Sequence, residues 1–272
     1  MNQSNLPDDA EHAGVPDFPD LSELPDLPDR VDGRPTVTVV IPAFNEARII
    51  ARCLAALART EDPADEIIVV DNCSSDATAS IAARFPGVRV VLEPRSGVTY
   101  ARTTGFDEAR GDIIARIDAD TVVARCWTKR IRAVFQRRSS IDAVGGGASI
   151  AELSPGRLLW GCWWYRGFRW WHERSIGVYP MVYGFNGAMR RSAWHSARRL
   201  IAMGDQDVSE DVDLTIALLR TGHHIAYVPQ LRVKARLFRS IDREKLSRYY
   251  RTDSQTLTRH GYGNRARWVD DV

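Results

Sequence analysis

The chain has 272 residues, of which 44% are hydrophobic and 26% charged, a composition typical of a soluble globular protein with one large or two small α/β domains. The net charge of +2 and the absence of a nucleic-acid-binding motif give no reason to expect a nucleic-acid partner. The apolar runs are too short to cross a bilayer, no signal sequence is seen, and the four cysteines form no CxxC pair. We therefore expect a cytoplasmic protein with neither a zinc site nor a disulfide framework.

The first 34 residues differ in composition from the rest of the chain. Residues 1–35 hold nine acidic residues against two arginines, and "PDFPDLSELPDLPDR" has a proline every few residues. Frequent proline prevents a regular helix, and frequent charge opposes a packed core. We predict a disordered acidic tail over residues 1–34, which either is simply solvated or binds a partner.

From Thr36 onward, apolar strands alternate with amphipathic helices. Continuous apolar runs predict buried strands at 36–44, 65–72, 88–94 and 112–118. Helical spacing predicts helices at 47–60, 74–85 and 97–110, the second capped by Ser74, Ser75 or Asp76. This alternation indicates an α/β fold with a doubly wound, mostly parallel sheet and helices on both faces.

Polar residues follow each of these predicted strands. They are the turn "PAFNE", Asp71 with Asn72, Arg95, and Asp118 with Asp120. Ligands of doubly wound sheets bind at the carboxyl ends of the strands, so residues 36–123 are predicted to form a nucleotide-binding half.

Asp118 and Asp120 stand one residue apart at the end of an apolar strand. Two neighbouring carboxylates repel each other unless a cation joins them, and Mg²⁺ or Mn²⁺ prefers oxygen ligands with diphosphate completing the shell. Aspartate is also common in turns, where it bonds to backbone amides, so this triplet alone does not decide between the two interpretations.

Six segments in order resemble the inverting glycosyltransferases of family 2, which have the GT-A fold. The segments are "VTVVIPAFNE", "IIVVDNCSSDAT", "GVTYARTTG", "ARGDIIARIDAD", "GFNGAMRR" and "SEDVDLTIALLRTGHHIAYVP". The resemblance covers residues 36 to 230 and rests on the order of the motifs, because no single one is decisive.

The resemblance implies roles for residues of the nucleotide-binding half. The implied nucleotide contacts are Pro42, Ala43, Phe44, Glu46, Asp71, Arg102 and Asp118. Asp71 would accept a hydrogen bond from the base, Arg102 would lie near the phosphates, and Asp118 would approach the ribose. Asp120 would bind the Mg²⁺ or Mn²⁺ ion that bridges the diphosphate.

The resemblance also implies a general base in "SEDVDL". Ser209 is suited to cap a helix that has Glu210 and Asp211 in its first turn, a position that acidic residues favour in any helix. Asp211 matches the family's base, which deprotonates an acceptor hydroxyl as it attacks the anomeric carbon. Glu210 would lie beside it in the acceptor pocket.

The segment "YGFNGAMRR" resembles the family's acceptor loop. Gly184 and Gly187 would permit close backbone approach, and Asn186 would bond to a sugar hydroxyl. On residue types alone, a plain turn between two strands explains the segment equally well.

Two positions depart from the family pattern. Thr104 stands where asparagine is common, and no histidine follows the strand ending in "YVP". Because that histidine is associated with the metal, Lys234 or Arg236 is an alternative means of neutralising the diphosphate.

The segment "LLWGCWWYRGFRWWHERS" holds five of the eight tryptophans. We predict that Trp163 and Trp164 line the acceptor pocket. The segment as a whole is compatible with three roles, which are an acceptor or membrane-interface surface, internal packing and an oligomer contact. A membrane-interface surface would favour a lipid-linked acceptor and peripheral contact with the inner face of the plasma membrane.

Residues 231–272 carry eleven Lys or Arg against five acidic residues, and we predict a basic, amphipathic helical extension. An anionic membrane, a substrate phosphate or simple solvation would each account for its charge.

We therefore predict a GT-A domain over residues 35–230, with a nucleotide-binding half at 36–123 and an acceptor half at 124–230. The predicted activity is inverting, metal-assisted transfer of a sugar from a UDP- or GDP-sugar to a hydroxyl of a glycan or lipid-linked acceptor. A nucleotidyltransferase is disfavoured because "IPAFNE" is not a glycine-rich loop with Lys or Arg. The alternative is a non-catalytic nucleotide-sugar-binding protein, or a membrane-assembly partner, with a retained GT-A fold.

Overall fold

The computed structural model of the protein describes residues 33–150, 167, 170, 177–178, 180–204, 207–235 and 243–262. The predicted acidic tail, except for its last two residues, and most of the tryptophan segment lie outside these ranges. Within them, no helix combines the length and the apolar character that crossing a membrane requires.

The nucleotide-binding half alternates strands and helices as the sequence predicts. The strands are β1 (Val37–Ala43), β2 (Glu66–Asp71), β3 (Val88–Leu92) and β4 (Ile113–Arg116). The helices between them are α1 (Ile50–Ala58), α2 (Thr78–Ala82) and α3 (Val98–Glu108). The second helix is shorter than predicted, and Asp76 accepts a hydrogen bond from the Thr78 amide at 2.9 Å just before it begins.

The second half adds strands of both directions. Its strands are β5 (Val122–Val123), β6 (Ala143–Ile150), β7 (Gly187–Arg190) and β8 (Ile225–Ala235). Its helices are α4 (Trp127–Arg137), α5 (Arg191–Ala197) and α6 (Glu210–Arg220), and α7 (Arg243–Arg259) follows β8.

All eight of these strands form one sheet, in the order β3-β2-β1-β4-β7-β6-β8-β5. The pairs β1–β2, β1–β4, β2–β3 and β6–β8 are parallel. Strand β7 lies antiparallel between β4 and β6, so the two halves share a continuous sheet. The prediction of a doubly wound, mostly parallel sheet is confirmed.

Apolar residues are buried on both faces of this sheet. One core cluster includes Ile41, Leu54 and Trp127, and a second includes Phe106 and Trp194. Helix α3 lies so close to the sheet that a Cβ on Gly105 would stand 2.3 Å from Cγ1 of Val40. Burial on both faces explains why the strands are almost continuously apolar.

Strand β8 crosses the predicted domain boundary at residue 230, because it continues to Ala235, where it still pairs with Ile150 of β6. Ser209 occupies the N-cap position of α6, but its side chain makes no capping hydrogen bond. Its amide instead donates to Thr256 of α7 at 2.8 Å, so the C-terminal helix is docked against α6.

Candidate active site

Several of the predicted site residues lie at the carboxyl ends of β1, β2 and β4. Ala43 of β1 is in register with Asp71 of β2, and Val40 is in register with Arg116 of β4, directly before Asp118 and Asp120. Parallel strands bring these positions together at one edge of the sheet. The beginning of α6 faces the same edge, because Arg116 pairs with Glu210.

The turns that follow β1 and β2 are joined by hydrogen bonds. Asn45, which has a positive φ of 55°, accepts at its side chain from the Ser75 amide at 2.9 Å. The Glu46 amide donates to the Thr78 hydroxyl at 2.8 Å. Phe44 stands out from this turn with 57% of its surface exposed, a position suited to a flat ligand group.

Asp71 has an unsatisfied acceptor at this edge. The residue is 7% exposed, and its Oδ1 atom has no hydrogen-bond partner within the described part of the chain. A buried acceptor left without a donor costs about 1–3 kcal/mol. An N–H group of a nucleotide base would satisfy it.

The loop after β3 is organised by Asn72 and Glu93. The Asn72 amide group donates to the Arg95 carbonyl at 2.7 Å, and its oxygen accepts from the Gly97 amide at 2.9 Å. Glu93 is 3% exposed, and its carboxylate accepts hydrogen bonds from the Arg95 guanidinium and the Thr104 hydroxyl. These hydrogen bonds lower the pKa of Glu93 to about 2, although burial acts in the opposite direction. Thr104, the residue that departs from the family pattern, thus supports a buried carboxylate that sequence reasoning missed.

Arg116 is the second residue that sequence reasoning missed. Its side chain is only 5% exposed, and it forms an ion pair with Glu210. The same guanidinium lies 3.5 Å from Oδ1 of Asp118 and 3.8 Å from Oδ1 of Asp211. Burial lowers the pKa of Arg116, but the three acidic neighbours outweigh burial and raise it. A charged residue inside the buried run "IIAR" is the sequence signal that would have identified it.

Asp211 is held by the backbone as well as by charge. Its Oδ1 atom accepts a hydrogen bond from the Gly184 amide at 2.9 Å, so the loop before β7 touches the first turn of α6. Burial and, after it, repulsion by Glu210 raise the pKa of Asp211 to about 7, although Arg116 and the Gly184 amide act in the opposite direction. A carboxylate that titrates near neutrality is suited to general base catalysis.

The acidic residues at the end of β4 fit a hard divalent cation. Burial, Glu210 and Asp120 raise the pKa of Asp118 to about 6, against the opposing effect of Arg116. The described residues contain no group of three or more His, Cys, Asp or Glu that would hold a metal by itself. The oxygen donors therefore suit Mg²⁺ or Mn²⁺ only when a ligand such as diphosphate completes the coordination shell.

Arg102 and Asn186, for which the resemblance implies ligand contacts, are both buried in the structure. Arg102 is fully buried, and it donates a hydrogen bond of 2.8 Å to the carbonyl of Glu210, so its guanidinium supports the beginning of α6. Asn186 is also fully buried. Its amide group donates to two backbone carbonyls and its oxygen accepts from the Trp127 indole, which leaves no group for a sugar hydroxyl.

The two glycines of the predicted acceptor loop are enclosed by neighbouring atoms. A Cβ on Gly184 would stand 2.5 Å from Cζ of Arg116, and one on Gly187 would stand 2.9 Å from the Tyr183 carbonyl. Gly187 begins β7, so the part of the segment after Asn186 is a strand and not a loop. A Cβ would therefore meet the Arg116 side chain at Gly184, and both a side chain and the backbone at Gly187.

Three predicted residues lie outside the described ranges, and a fourth, Lys234, pairs with the strand that follows Asp120. Trp163, Trp164 and Arg236 belong to undescribed segments. Lys234 lies in β8 opposite Val122 of β5, and burial lowers its pKa.

Comparison with known proteins decides the family. The sequence profile of Glycosyl transferase family 2 matches residues 38–196, which is more than half of the chain. The chain belongs to glycosyltransferase family 2. This membership confirms the family that the motifs predicted.

Individual glycosyltransferases support the same fold. The probable glycosyltransferase YdaM of Bacillus subtilis is 30% identical over 214 residues, which are 72% of this chain and 49% of YdaM. Mannosyltransferase PcManGT from Pyrobaculum calidifontis, solved with GDP-Man and Mn²⁺, matches with a TM-score of 0.60 and 25% identity over 84% of this chain and 63% of its own. Glucosyl-3-phosphoglycerate synthase from Mycobacterium tuberculosis, solved with Mn²⁺, UDP-Glc and phosphoglyceric acid, matches with a TM-score of 0.61 and 22% identity. This match covers 84% of the present chain and 80% of the synthase chain. The GT-A fold is confirmed, while this family 2 chain spans only about half the length of YdaM.

Proposed function

We propose that this family 2 protein transfers a sugar from a UDP- or GDP-sugar to an acceptor hydroxyl with inversion at the anomeric carbon. The observation that carries the proposal is the position of Arg116. One guanidinium lies 3.5 Å from Asp118, at the expected donor side, and 3.8 Å from Asp211, at the expected acceptor side. The proposed donor contact and the proposed base therefore share one cleft.

In the proposed reaction, Asp211 is the general base. Its carboxylate takes the proton of the acceptor hydroxyl as the hydroxyl oxygen attacks the anomeric carbon, and the bond to the nucleoside diphosphate breaks on the opposite face. The Gly184 amide fixes the carboxylate by a hydrogen bond of 2.9 Å. A raised pKa, to about 7, makes Asp211 a stronger proton acceptor than an ordinary aspartate.

The donor would lie along the carboxyl edge of the sheet. Asp71 would accept a hydrogen bond from the base through its unpartnered Oδ1 atom, while Pro42, Ala43, Phe44 and Glu46 would line the nucleotide pocket. Asp118 would approach the ribose, and Asp120 would hold a divalent metal together with the diphosphate. When bound, that metal would offset the negative charge of the leaving group.

The nucleotide and metal in the proposal are supported by related structures. PcManGT contains GDP-Man with Mn²⁺, and glucosyl-3-phosphoglycerate synthase contains UDP-Glc with Mn²⁺. Mg²⁺ has the same preference for oxygen ligands and is equally compatible with the site. For the acceptor, we propose a hydroxyl of a glycan or of a lipid-linked sugar, the latter reached by peripheral contact with a membrane.

Ligand-dependent stability followed by turnover tests this proposal. The full chain would be heated with UDP-glucose, GDP-mannose, UDP or GDP in Mn²⁺, Mg²⁺ or chelator. A ligand at 100 times its Kd stabilises the folded state by about 2.7 kcal/mol. We expect one nucleotide to raise the melting temperature in metal only, and Asp120→Asn to abolish that rise.

Catalysis is tested by release of nucleoside diphosphate from the stabilising donor. Asp211→Asn should bind this donor yet lose turnover by at least about a hundredfold, the usual scale of general base catalysis. Asp107→Asn is the matched control, because Asp107 pairs with Arg198, away from the cleft. Equal turnover in Asp211→Asn would refute the assigned base, and donor binding without any turnover would favour a non-catalytic binding protein.

A further inference from the structure

The cluster around Asp211 contains a buried cation that the proposed reaction does not itself use. Arg116 comes from β4, Glu210 and Asp211 come from α6, and Gly184 comes from the loop before β7. The Arg116 side chain is 5% exposed, and its Nε and Nη1 atoms have no hydrogen-bond partner among the described residues. A guanidinium that is buried without complete hydrogen bonding needs a compensating role, because its desolvation is costly.

We propose that Arg116 is a positioning residue that keeps Asp211 charged and in place, while Glu210 acts against it. This inference rests on the proposed role of Asp211 as the base. Arg116 lies 3.8 Å from the Asp211 carboxylate, and Glu210 precedes Asp211 directly on the helix. A buried cation at this distance favours the charged form of a carboxylate, and a neighbouring carboxylate disfavours it.

The packing around the guanidinium leaves it little freedom. Gly184 covers it so closely that an added Cβ would stand 2.5 Å from Cζ, and Glu210 pairs with its Nη2. The same Gly184 donates its amide to Asp211. Arg116 and Gly184 therefore hold the carboxylate from two sides, one by charge and one by a hydrogen bond.

Among the described residues, Arg116 is the cation that pairs with Asp211, because the other basic groups nearby pair with Asp213. Arg102 of α3 also faces this region, but its hydrogen bond is with the Glu210 carbonyl and its 3.8 Å ion pair is with Asp213. His260, which follows α7, is bonded to Asp213 at 2.9 Å. The groups facing Asp211 are Glu210 on its own helix, Asp118 after β4, Arg116 on β4 and, at longer range, Arg102 on α3.

The test measures the titration of Asp211 directly. Carboxyl ¹³C NMR of aspartate-labelled full-length protein would be recorded from pH 4 to 9, and the Asp211 signal would be assigned by its loss in Asp211→Asn. We expect the Asp211 midpoint to rise by about one pH unit or more in Arg116→Met and to fall in Glu210→Gln. Arg116→Lys, which keeps the charge, should return the midpoint toward that of the unaltered protein.

A second buried arginine provides the matched control. Arg132 is 2% exposed and pairs with Asp62 and Asp65, beside the beginnings of β1 and β2 and away from α6. Arg132→Met should lower stability without moving the Asp211 midpoint. If Arg116→Met does not fold, Gly184→Ala displaces the guanidinium while leaving every charge present, and it should move the midpoint upward.

Turnover separates this inference from the proposed function. With UDP-glucose or GDP-mannose as donor, the acidic limb of kcat should move upward in Arg116→Met, with a larger change in kcat than in KM. An unchanged Asp211 midpoint in folded Arg116→Met and Gly184→Ala would overturn the inference. Unchanged turnover in Asp211→Asn would instead overturn the proposed base, whatever the NMR titration shows.

Discussion

Replacing Asp211 by asparagine should stabilise the folded protein at alkaline pH, although it removes the proposed base. The environment of Asp211 raises its pKa from 3.8 to about 7, chiefly through burial and then through Glu210. The folded state therefore resists losing this proton. Asparagine is neutral at every pH, and its side-chain oxygen can still accept the hydrogen bond from Gly184.

The size and the pH range of the effect follow from this pKa. Each unit between folded and unfolded pKa values corresponds to about 1.4 kcal/mol, which gives an upper limit of about 4 kcal/mol. Because the Asp211 side chain is 26% exposed, solvent screens part of this cost, and we expect about 2 kcal/mol. The gain should be absent below about pH 4, grow as pH rises toward 7, and stay constant above it.

The assay is urea unfolding of both proteins at several pH values from 4 to 9, with melting temperatures as a second measure. A gain of about 2 kcal/mol corresponds to a rise of roughly 4–8 °C for a domain of this size. Asp112→Asn is a control with the opposite sign, because hydrogen bonds from the Thr36 amide and hydroxyl lower the pKa of Asp112. A difference between Asp211→Asn and the unaltered protein that does not change with pH would refute the reasoning.

Three further predictions concern other parts of the fold. Gly105→Ala should destabilise the protein by about 1–3 kcal/mol in urea unfolding, because its Cβ would lie 2.3 Å from Val40. His260→Ala should lower the free energy of unfolding by about 1–3 kcal/mol, because it removes a hydrogen-bond partner of the fully buried Asp213. Hydrogen exchange in the C-terminal helix should become faster, and unchanged exchange in α6 and α7 would contradict this. Cys73 is exposed two residues after Asp71, the proposed contact of the nucleotide base, so iodoacetamide should label it in the folded protein. The stabilising nucleotide should slow this labelling, as measured by peptide mass spectrometry.

Two residues for which the family resemblance implies ligand contacts are buried in the structure. Arg102 and Asn186 match family motifs, yet both side chains are fully buried and bonded to neighbouring groups. Motif letters indicate which residues occur near a site. They do not indicate toward which side of a helix or strand a side chain points, because that depends on elements distant in the chain.

The sequence by itself determined the family, the alternation of strands and helices, and the edge of the sheet where Asp71, Asp118 and Asp120 gather. The family follows from the order of the six motifs, whereas the alternation and the edge follow from apolar periodicity and from the polar residues after each strand, which are local properties. Tertiary structure alone decided that β7 lies between β4 and β6, that β8 continues past residue 230, and that Arg116 meets Glu210 and Asp211. Arg116 and Glu210 are separated by 94 positions, and only the closure of the whole sheet brings their charges together.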